Sequence, residues 1–283
     1  MTNTAQKTSI AEAFARAKAE GRVALIPYVM AGYPDVATSE ALAVALGEAG
    51  ADVLELGVPF SDPLADGATI QVASQHALDG GMTPIGALEL AGRVAAKVGT
   101  PIVLMGYYNP IFSYGVERYC ARAAKAGVAG LIVPDLPPEE AETLRSAAAT
   151  QGIELIFLVT PTSTEQRIQQ VAEMAGKTGG GFVYCVSLSG VTGARDRLPE
   201  HLAAFITRVR NATTLPLAVG FGVSRPEHVA EIGQIADGAV VASALINAVD
   251  AAAPEERVAT GVAFLRALQS GAKLAQPAAS TKQ

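Results

Sequence analysis

The chain alternates short apolar segments with helix-type segments eight times, and this alternation limits its fold more than any other feature. The apolar segments are near-continuous runs of aliphatic residues, which is typical of strands buried on both faces of a parallel sheet. The eight segments are VALIPYV (23–29), ADVLELGV (51–58), TPIVLMGYY (100–108), VAGLIVPD (128–135), IELIFLVT (153–160), GFVYCVS (181–187), LPLAVGFG (215–222) and ADGAVVASALI (236–246). Eight such units in 283 residues favour a (β/α)8 barrel, an α/β fold, with an extra helix at the N-terminus.

An open doubly wound sheet is the competing architecture, since it also alternates strands with helices. Such a sheet often carries a G-x-G-x-x-G turn after its first strand, whereas the turn here is MAGYPD (30–35). We therefore predict one barrel domain over residues 1–283, with a flexible tail from about residue 270.

Three helix starts carry capping patterns. Ser9 with Glu12, and Ser224 with Glu227, match the S-x-x-E capping box, and Thr83 precedes a proline in the first turn of a helix. These patterns predict helices that begin directly after the three hydroxyl residues.

Composition excludes several functions. Only 17% of the residues are charged and the net charge is −6, so a nucleic-acid surface is not expected. No apolar run has the length of a membrane span, and the N-terminal residues show no signal sequence, which favours a cytoplasmic protein. Cys120 and Cys185 are predicted to be reduced packing thiols, and His76, His201 and His228 share no metal-ligand spacing, so no metal site is proposed.

Glu55 interrupts an otherwise apolar strand, in the stretch VLELGVPFSDPLADGATI (53–70). Because side chains alternate along a strand, Glu55 shares a face with Val53 and Gly57, and Leu54 and Leu56 share the other. The leucines suit the helix-facing side, so Glu55 is expected inside the barrel near the catalytic, C-terminal end. Burial there raises a carboxyl pKa and suits an acid or base, although a purely structural glutamate fits the pattern equally well.

Further acids follow in the long loop after this strand. Asp66 could meet Glu55 above the barrel mouth and form a carboxylate pair for acid–base chemistry. Glycosidases also pair carboxylates, but the chain has no Trp as a sugar platform. For Asp62, beside Pro63, an ordinary turn role remains an equal alternative.

Small-residue loops follow the last three strands, at 187–195, 220–224 and 241–245. Barrels commonly bind phosphate at the loops after strands seven and eight, where glycine lets backbone N–H groups approach an anion. The loops predict a phosphate site held mainly by neutral amides. Lys97, Lys125 and Lys177 lie in or just after predicted helices, not at strand ends, which disfavours a Schiff-base aldolase.

Six segments resemble the α subunit of tryptophan synthase, and the resemblance extends from about residue 11 to about residue 268. They are LELGVPFSDPLADGATIQ, YCVSLSGVTGAR, VGFGVSRPEHV, PYVMAGYPD, LMGYYNPIFSYG and GLIVPDLPPEEA. The resemblance implies a (β/α)8 barrel that cleaves indole-3-glycerol phosphate to indole and glyceraldehyde 3-phosphate by a retro-aldol reaction. It also implies no cofactor in this chain and a pyridoxal-phosphate β subunit as partner, in an αββα heterotetramer that receives the indole through a tunnel.

The resemblance also implies roles for individual residues. Glu55 matches the family's catalytic glutamate and Asp66 the second catalytic carboxylate. Positions around the substrate match Tyr184, Tyr28, Phe221, Leu104, Tyr107 and Ile132. Positions at the phosphate match Gly193, Gly222, Ala242 and Ser243. The loop that closes over the substrate includes Thr192, and the surface that contacts the β subunit includes Asp62 and Pro63.

Two residues depart from the family pattern. Ala242 replaces an expected glycine beside the phosphate serine, and Leu188 stands where some members carry arginine. Two other functions stay open from the residues alone: a phosphate-binding barrel isomerase, and an inactive chain that only activates a β partner.

Overall fold

The structure is a computed structural model, and it describes residues 8–177, 181–186, 201–220 and 222–272. The strands are Ala24–Met30 (β1), Leu54–Gly57 (β2), Ile102–Met105 (β3), Val128–Ile132 (β4), Glu154–Ile156 (β5), Leu158–Val159 (β6), Val183–Val186 (β7), Leu217–Gly220 (β8) and Gly238–Val241 (β9). The α-helices are Ile10–Ala19 (α1), Val36–Glu48 (α2), Ala68–Asp79 (α3), Pro84–Ala95 (α4), Tyr108–Tyr114 (α5), Val116–Lys125 (α6), Glu142–Thr150 (α7), Glu165–Lys177 (α8), His201–Ala212 (α9), Pro226–Gly233 (α10), Ser243–Asp250 (α11) and Arg257–Ala272 (α12). Short 3-10 helices cover Pro138–Glu140 and Pro254–Glu256.

The strands form one parallel sheet in the order β5-β4-β3-β2-β1-β9-β8-β7-β6. The two ends of this order, β5 and β6, are consecutive pieces of the fifth strand. Phe157 separates them, and its carbonyl accepts the backbone N–H of Tyr184 at 3.0 Å. One edge of the fifth strand therefore pairs with β4 and the other with β7, so the sheet closes into the predicted barrel.

Two apolar layers hold this barrel together. The larger layer lies mostly between the sheet and the surrounding helices, and the smaller one fills the barrel interior. Helix α1 covers the N-terminal end of the interior, where the rings of Phe14 and Phe182 lie 5.5 Å apart. Because the N-terminal end is filled, the C-terminal end is left to hold a site. Within the described ranges, no helix is long and apolar enough to cross a membrane.

The helix starts only partly follow the sequence patterns. The capping box of Ser9 and Glu12 is confirmed, and Thr83 caps α4 by accepting the N–H of Gly86. The box predicted at Ser224 is wrong. Helix α10 is capped by the next residue, without a side-chain hydrogen bond, and the Ser224 hydroxyl instead lies 3.4 Å from Nδ1 of His228.

Asp52 joins three elements at the N-terminal end of the barrel. It is fully buried, and its carboxylate accepts hydrogen bonds from Arg22 at 2.5 and 2.9 Å, Arg16 at 3.2 Å and the Leu25 N–H at 2.9 Å. The two donors on Arg22 form a bidentate pair, which fixes the chain before β1 against the start of β2.

Replacing Asp52 with Asn should lower the free energy of unfolding by about 2–3 kcal/mol, because a partly buried guanidinium loses its counter-charge. This is below the usual cost of breaking a buried pair, since both arginines keep some contact with water. Urea unfolding at pH 7 measures the change. Glu20→Gln is the control, since Glu20 is an exposed partner of the same Arg22 and should cost less than about 1 kcal/mol. Equal losses of unfolding free energy for the two variants would show that the buried Asp52 cluster stabilises the fold no more than the exposed ion pair does.

Candidate active site

Glu55 lies inside the barrel, as predicted from the alternation along its strand. It stands opposite Tyr28 of β1 and Val103 of β3, and both of these residues face the interior. The side chain is 1% exposed, and its Oε2 atom has no hydrogen-bond partner among the described residues. Burial raises the pKa of Glu55 to about 8, and the charge of Asp66 adds to the increase. Glu55 is therefore mainly protonated at neutral pH and can donate a proton.

Asp66 lies on the loop that joins β2 to α3. Burial raises its pKa to about 6, and a hydrogen bond with the Tyr107 side chain opposes the increase. At neutral pH Asp66 is therefore mainly ionised, whereas Glu55 carries a proton. The charge of Asp66 adds to the raised pKa of Glu55, so the loop places the two carboxyl groups within electrostatic range of each other.

Two tyrosines lie over glycines at the C-terminal ends of their strands. A Cβ atom on Gly57 would lie 1.9 Å from the Tyr28 hydroxyl, and one on Gly220 would lie 2.9 Å from the Tyr184 hydroxyl. Only glycine leaves room for these rings. Burial raises the pKa of each tyrosine, and the charges of Glu55 and Asp66 add to the increase. The structure therefore brings Tyr28 and Tyr184 together with the two carboxyl groups.

The two aliphatic positions predicted to line the indole slot differ in orientation. Ile132 packs in the barrel interior, on the same face as Met105. Leu104 faces the opposite way, because it pairs with Leu56 and lies one residue from the inward Val103. The assignment of Leu104 to the substrate slot is therefore wrong.

The structure describes three of the four predicted phosphate positions, Gly222, Ala242 and Ser243. Gly222 has φ +60°, a left-handed conformation that favours glycine. Ala242 has φ −115°, so alanine fits where the family pattern has glycine, and Ser243 follows it as the first residue of α11. Gly193 and Phe221 lie outside the described residues, as do Thr192 and Leu188.

The loop after β2 presents its predicted partner residues to the surface. Asp62 is exposed and Pro63 is partly exposed, and Leu64 beside them is 92% exposed. Phe112 on α5 is 65% exposed. Large apolar side chains exposed to this extent are typical of a contact surface for another protein.

Other reactive groups do not form a second centre in the part of the chain that the structure describes. No cluster of His, Cys, Asp and Glu there could hold a metal ion. Both cysteines are buried free thiols, as predicted from the sequence.

Sequence reasoning missed two contributions to this site. Gly57 and Gly220 are not among the predicted site residues, although their lack of a side chain leaves the space that the two tyrosine rings occupy. The signal was available, because each glycine is at the end of an inward-facing row of a barrel strand.

Comparison with known proteins identifies the family. The family model described as tryptophan synthase alpha chain matches residues 14–273. The tryptophan synthase alpha chain of Roseiflexus sp. (strain RS-1) is 54% identical over 261 residues, covering 92% of this chain and 98% of that protein. The alpha chain of Geobacter sp. (strain M21) is 50% identical over 262 residues, covering 93% and 97%.

Solved structures agree in fold. Mycobacterium tuberculosis tryptophan synthase superposes with a TM-score of 0.86 and 37% identity, covering 95% of this chain and all of that chain. Tryptophan synthase subunit alpha from Legionella pneumophila str. Paris superposes with a TM-score of 0.83 and 34% identity, covering 93% and 97%. The family model matches almost the whole barrel, the two relatives share at least half of their aligned residues with this chain, and the solved structures have the same fold. This chain therefore belongs to the tryptophan synthase alpha chain family.

Proposed function

We propose that Glu55 and Asp66 divide the chemistry of the alpha-chain reaction, the cleavage of indole-3-glycerol phosphate to indole and glyceraldehyde 3-phosphate in tryptophan biosynthesis. The observation that carries this proposal is the pair of neighbouring carboxyl groups whose pKa values differ, about 8 for Glu55 and about 6 for Asp66. Between these values one group carries a proton and the other a charge, which is the state that an acid and an electrostatic partner require.

Glu55 transfers protons in this proposal. Its carboxylic acid donates a proton to C3 of the indole ring, which makes the ring a competent leaving group. The resulting carboxylate takes the proton from the hydroxyl on the adjacent glycerol carbon. The bond between that carbon and C3 breaks, its electrons return to the indole ring, and the carbon becomes the aldehyde of glyceraldehyde 3-phosphate. Glu55 ends the cycle protonated, as it began.

Asp66 stabilises charge in this proposal. Protonation at C3 places positive charge on the ring, and the ring nitrogen bears much of it. An ionised Asp66 that accepts a hydrogen bond from the indole N–H lowers the energy of this state. Asp66 lies on a loop and is partly exposed, whereas Glu55 is fully buried. This difference supports the separation of roles.

The remaining predicted positions bind the two ends of the substrate. We assign the indole ring to the apolar slot near Tyr28, Tyr184 and Ile132, with Tyr107 and Phe221 completing it. Backbone N–H groups at Gly193, Gly222, Ala242 and Ser243 bind the phosphate, since N–H groups at a helix start attract anions.

Release of indole from indole-3-glycerol phosphate tests the function directly. The purified chain should release indole, followed by its absorbance or by a colour reaction. A barrel isomerase would convert a phosphorylated substrate without releasing indole, so a wild-type protein that releases none contradicts the proposal.

A β subunit is the second part of the proposal. We propose that this chain carries no cofactor of its own and works in the cytoplasm as part of an αββα heterotetramer. The β subunit holds pyridoxal phosphate and joins the transferred indole to L-serine, giving L-tryptophan. The exposed side chains of Asp62, Pro63 and Leu64, next to the catalytic loop, support a contact there.

Binding of the β subunit should raise the turnover of the α reaction, because the contact orders the loop that holds Asp66. Leu64→Ser should weaken assembly about tenfold and leave the rate of the free chain unchanged. Titration calorimetry and indole release, with and without partner, measure both effects. Gln151→Ser, an exposed change at the opposite end of the barrel, is the control. Equal turnover with and without the partner would rule out the activation.

A further inference from the structure

Tyr107 makes more contacts than a wall of the indole slot needs. It lies two residues after the end of β3 and is 5% exposed. Its ring stacks on Phe60, with centroids 5.1 Å apart and planes at 28°. Its hydroxyl accepts the backbone N–H of Ala65 at 3.0 Å. Tyr107 is therefore fixed from two sides by the loop that carries Asp66.

The donor and acceptor capacity of a phenol decides where the Tyr107 proton points. The hydroxyl has one proton to donate, and the Ala65 N–H occupies its acceptor side. Ala65 and Asp66 are consecutive residues, so the hydroxyl that accepts the Ala65 N–H lies beside Asp66 with its proton still to donate. Donation toward this carboxylate lowers the pKa of Asp66.

The backbone around Asp66 is held separately. The Asp66 N–H donates to the Pro63 carbonyl at 3.0 Å, and Gln71 Nε2 donates to the Asp66 carbonyl at 2.9 Å. These bonds fix the main chain, and neither of them involves the carboxylate. Tyr107 is the side chain that acts on the carboxylate itself.

We propose that Tyr107 is a positioning residue, whose hydroxyl aims the Asp66 carboxylate into the site and stabilises its charge. This inference rests on the proposed role of Asp66. It assigns Tyr107 a polar task beyond the apolar wall that the family resemblance implies.

The charged and titratable groups around Asp66 agree with this task. The charge of Asp66 acts on Glu55 of β2, Tyr28 of β1 and Tyr184 of β7, and none of these three groups is a cation. Asp135 faces Tyr107 and adds a further negative charge. Among these neighbours, the hydrogen bond from Tyr107 is what lowers the pKa of Asp66 against the effect of burial.

Tyr107→Phe separates the hydroxyl from the ring, because phenylalanine keeps the stacking on Phe60. The rate constant kcat/KM for indole release should fall about tenfold, the effect of one hydrogen bond to a charged group. The acid limb of the pH profile should move up by about one unit, because Asp66 then holds its proton more tightly. A ¹³C NMR titration of labelled aspartate should show the same rise in the free protein, without substrate.

Phe60→Leu is the second variant, since it loosens the ring and keeps the hydroxyl. It should shift the acid limb in the same direction by a smaller amount. Tyr119→Phe is the control, because Tyr119 is also a buried tyrosine but lies on α6 and packs in the outer layer. Its kcat/KM and pH profile should equal those of the wild type.

The inference is overturned if Tyr107→Phe leaves the acid limb and the Asp66 titration unchanged, whether or not kcat/KM falls. A fall without a shift would mean that Tyr107 only packs. A wild-type protein that releases no indole is a different result, because it contradicts the proposed function and leaves the NMR titration to test the contact by itself.

Discussion

Glu55→Gln should reduce the rate of indole release by about 100- to 10,000-fold, the usual contribution of a positioned general acid. Glutamine keeps the shape of the side chain but cannot donate a proton to C3 of the indole ring. The effect should appear in kcat rather than in KM, because the proton moves only during the reaction. Steady-state indole release at pH 7 measures it. A loss below about tenfold would mean that another group supplies the proton.

Stability measurements separate this loss from misfolding. The pKa of Glu55 rises from 4.5 in the unfolded chain to about 8 in the fold, so its burial costs stability as pH increases across that window. Relative to the wild type, Glu55→Gln should therefore gain up to about 1.4 kcal/mol of stability for each pH unit between 4.5 and 8. Unfolding at pH 5 and pH 8 checks the sign.

Glu154→Gln is the matched control for activity. Glu154 also has a pKa raised by burial, to about 7, and its Oε2 atom has no hydrogen-bond partner among the described residues. It begins the fifth strand, at the end of the barrel opposite the site. Its variant should keep wild-type activity, which would show that the position of Glu55, and not a buried glutamate as such, carries the chemistry.

Asp66→Asn should reduce kcat by about 100- to 1,000-fold, the usual effect of removing one group that stabilises transition-state charge. The amide oxygen still accepts a hydrogen bond from the indole N–H, but it lacks the negative charge that balances the protonated ring. Indole release at saturating substrate measures the change. Asp79→Asn, an exposed change at the end of α3, is the control and should be neutral. Equal rates for the two variants would remove Asp66 from the mechanism.

Much of the barrel could be predicted from the sequence, because the strands and the direction of their side chains are both encoded in neighbouring residues. Aliphatic runs give the strands, and alternation within β2 gives the inward direction of Glu55. The proximity of Glu55 and Asp66 could also be predicted, since the loops after parallel strands all lie at one end of the barrel.

Three helices at the catalytic end were not predicted: α3, α5 and α11. Helices α5 and α11 begin within three residues of a strand, where the sequence pattern predicts a loop or a continuation of the strand, and α3 lies beyond the long loop after β2. Tyr107 illustrates the result. The sequence pattern predicts Tyr107 in the third strand, whereas the strand ends at Met105 and Tyr107 is the N-cap of α5. Helices α5 and α11 have seven and eight residues, and helices this short depend on packing more than on sequence propensity, so a local pattern does not define them.

The assignment of Leu104 to the substrate slot is wrong for a different reason. The family resemblance gave it a role, but the alternation within β3 gives it an orientation, and the two disagree. Val103 and Met105 point to the interior, so a residue between them must face the helices. The same test applied to the sequence would have favoured Met105.

The pH dependence of kcat/KM for indole release tests the division of roles between Glu55 and Asp66 most directly. The active form has a protonated Glu55 and an ionised Asp66, so the wild-type profile should be bell-shaped, with limbs near pH 6 and pH 8. The residual activity of Asp66→Asn should lose the acid limb, and that of Glu55→Gln should lose the alkaline limb. A wild-type profile that stays flat from pH 5 to pH 9, or limbs that persist in both variants, would contradict the assignment.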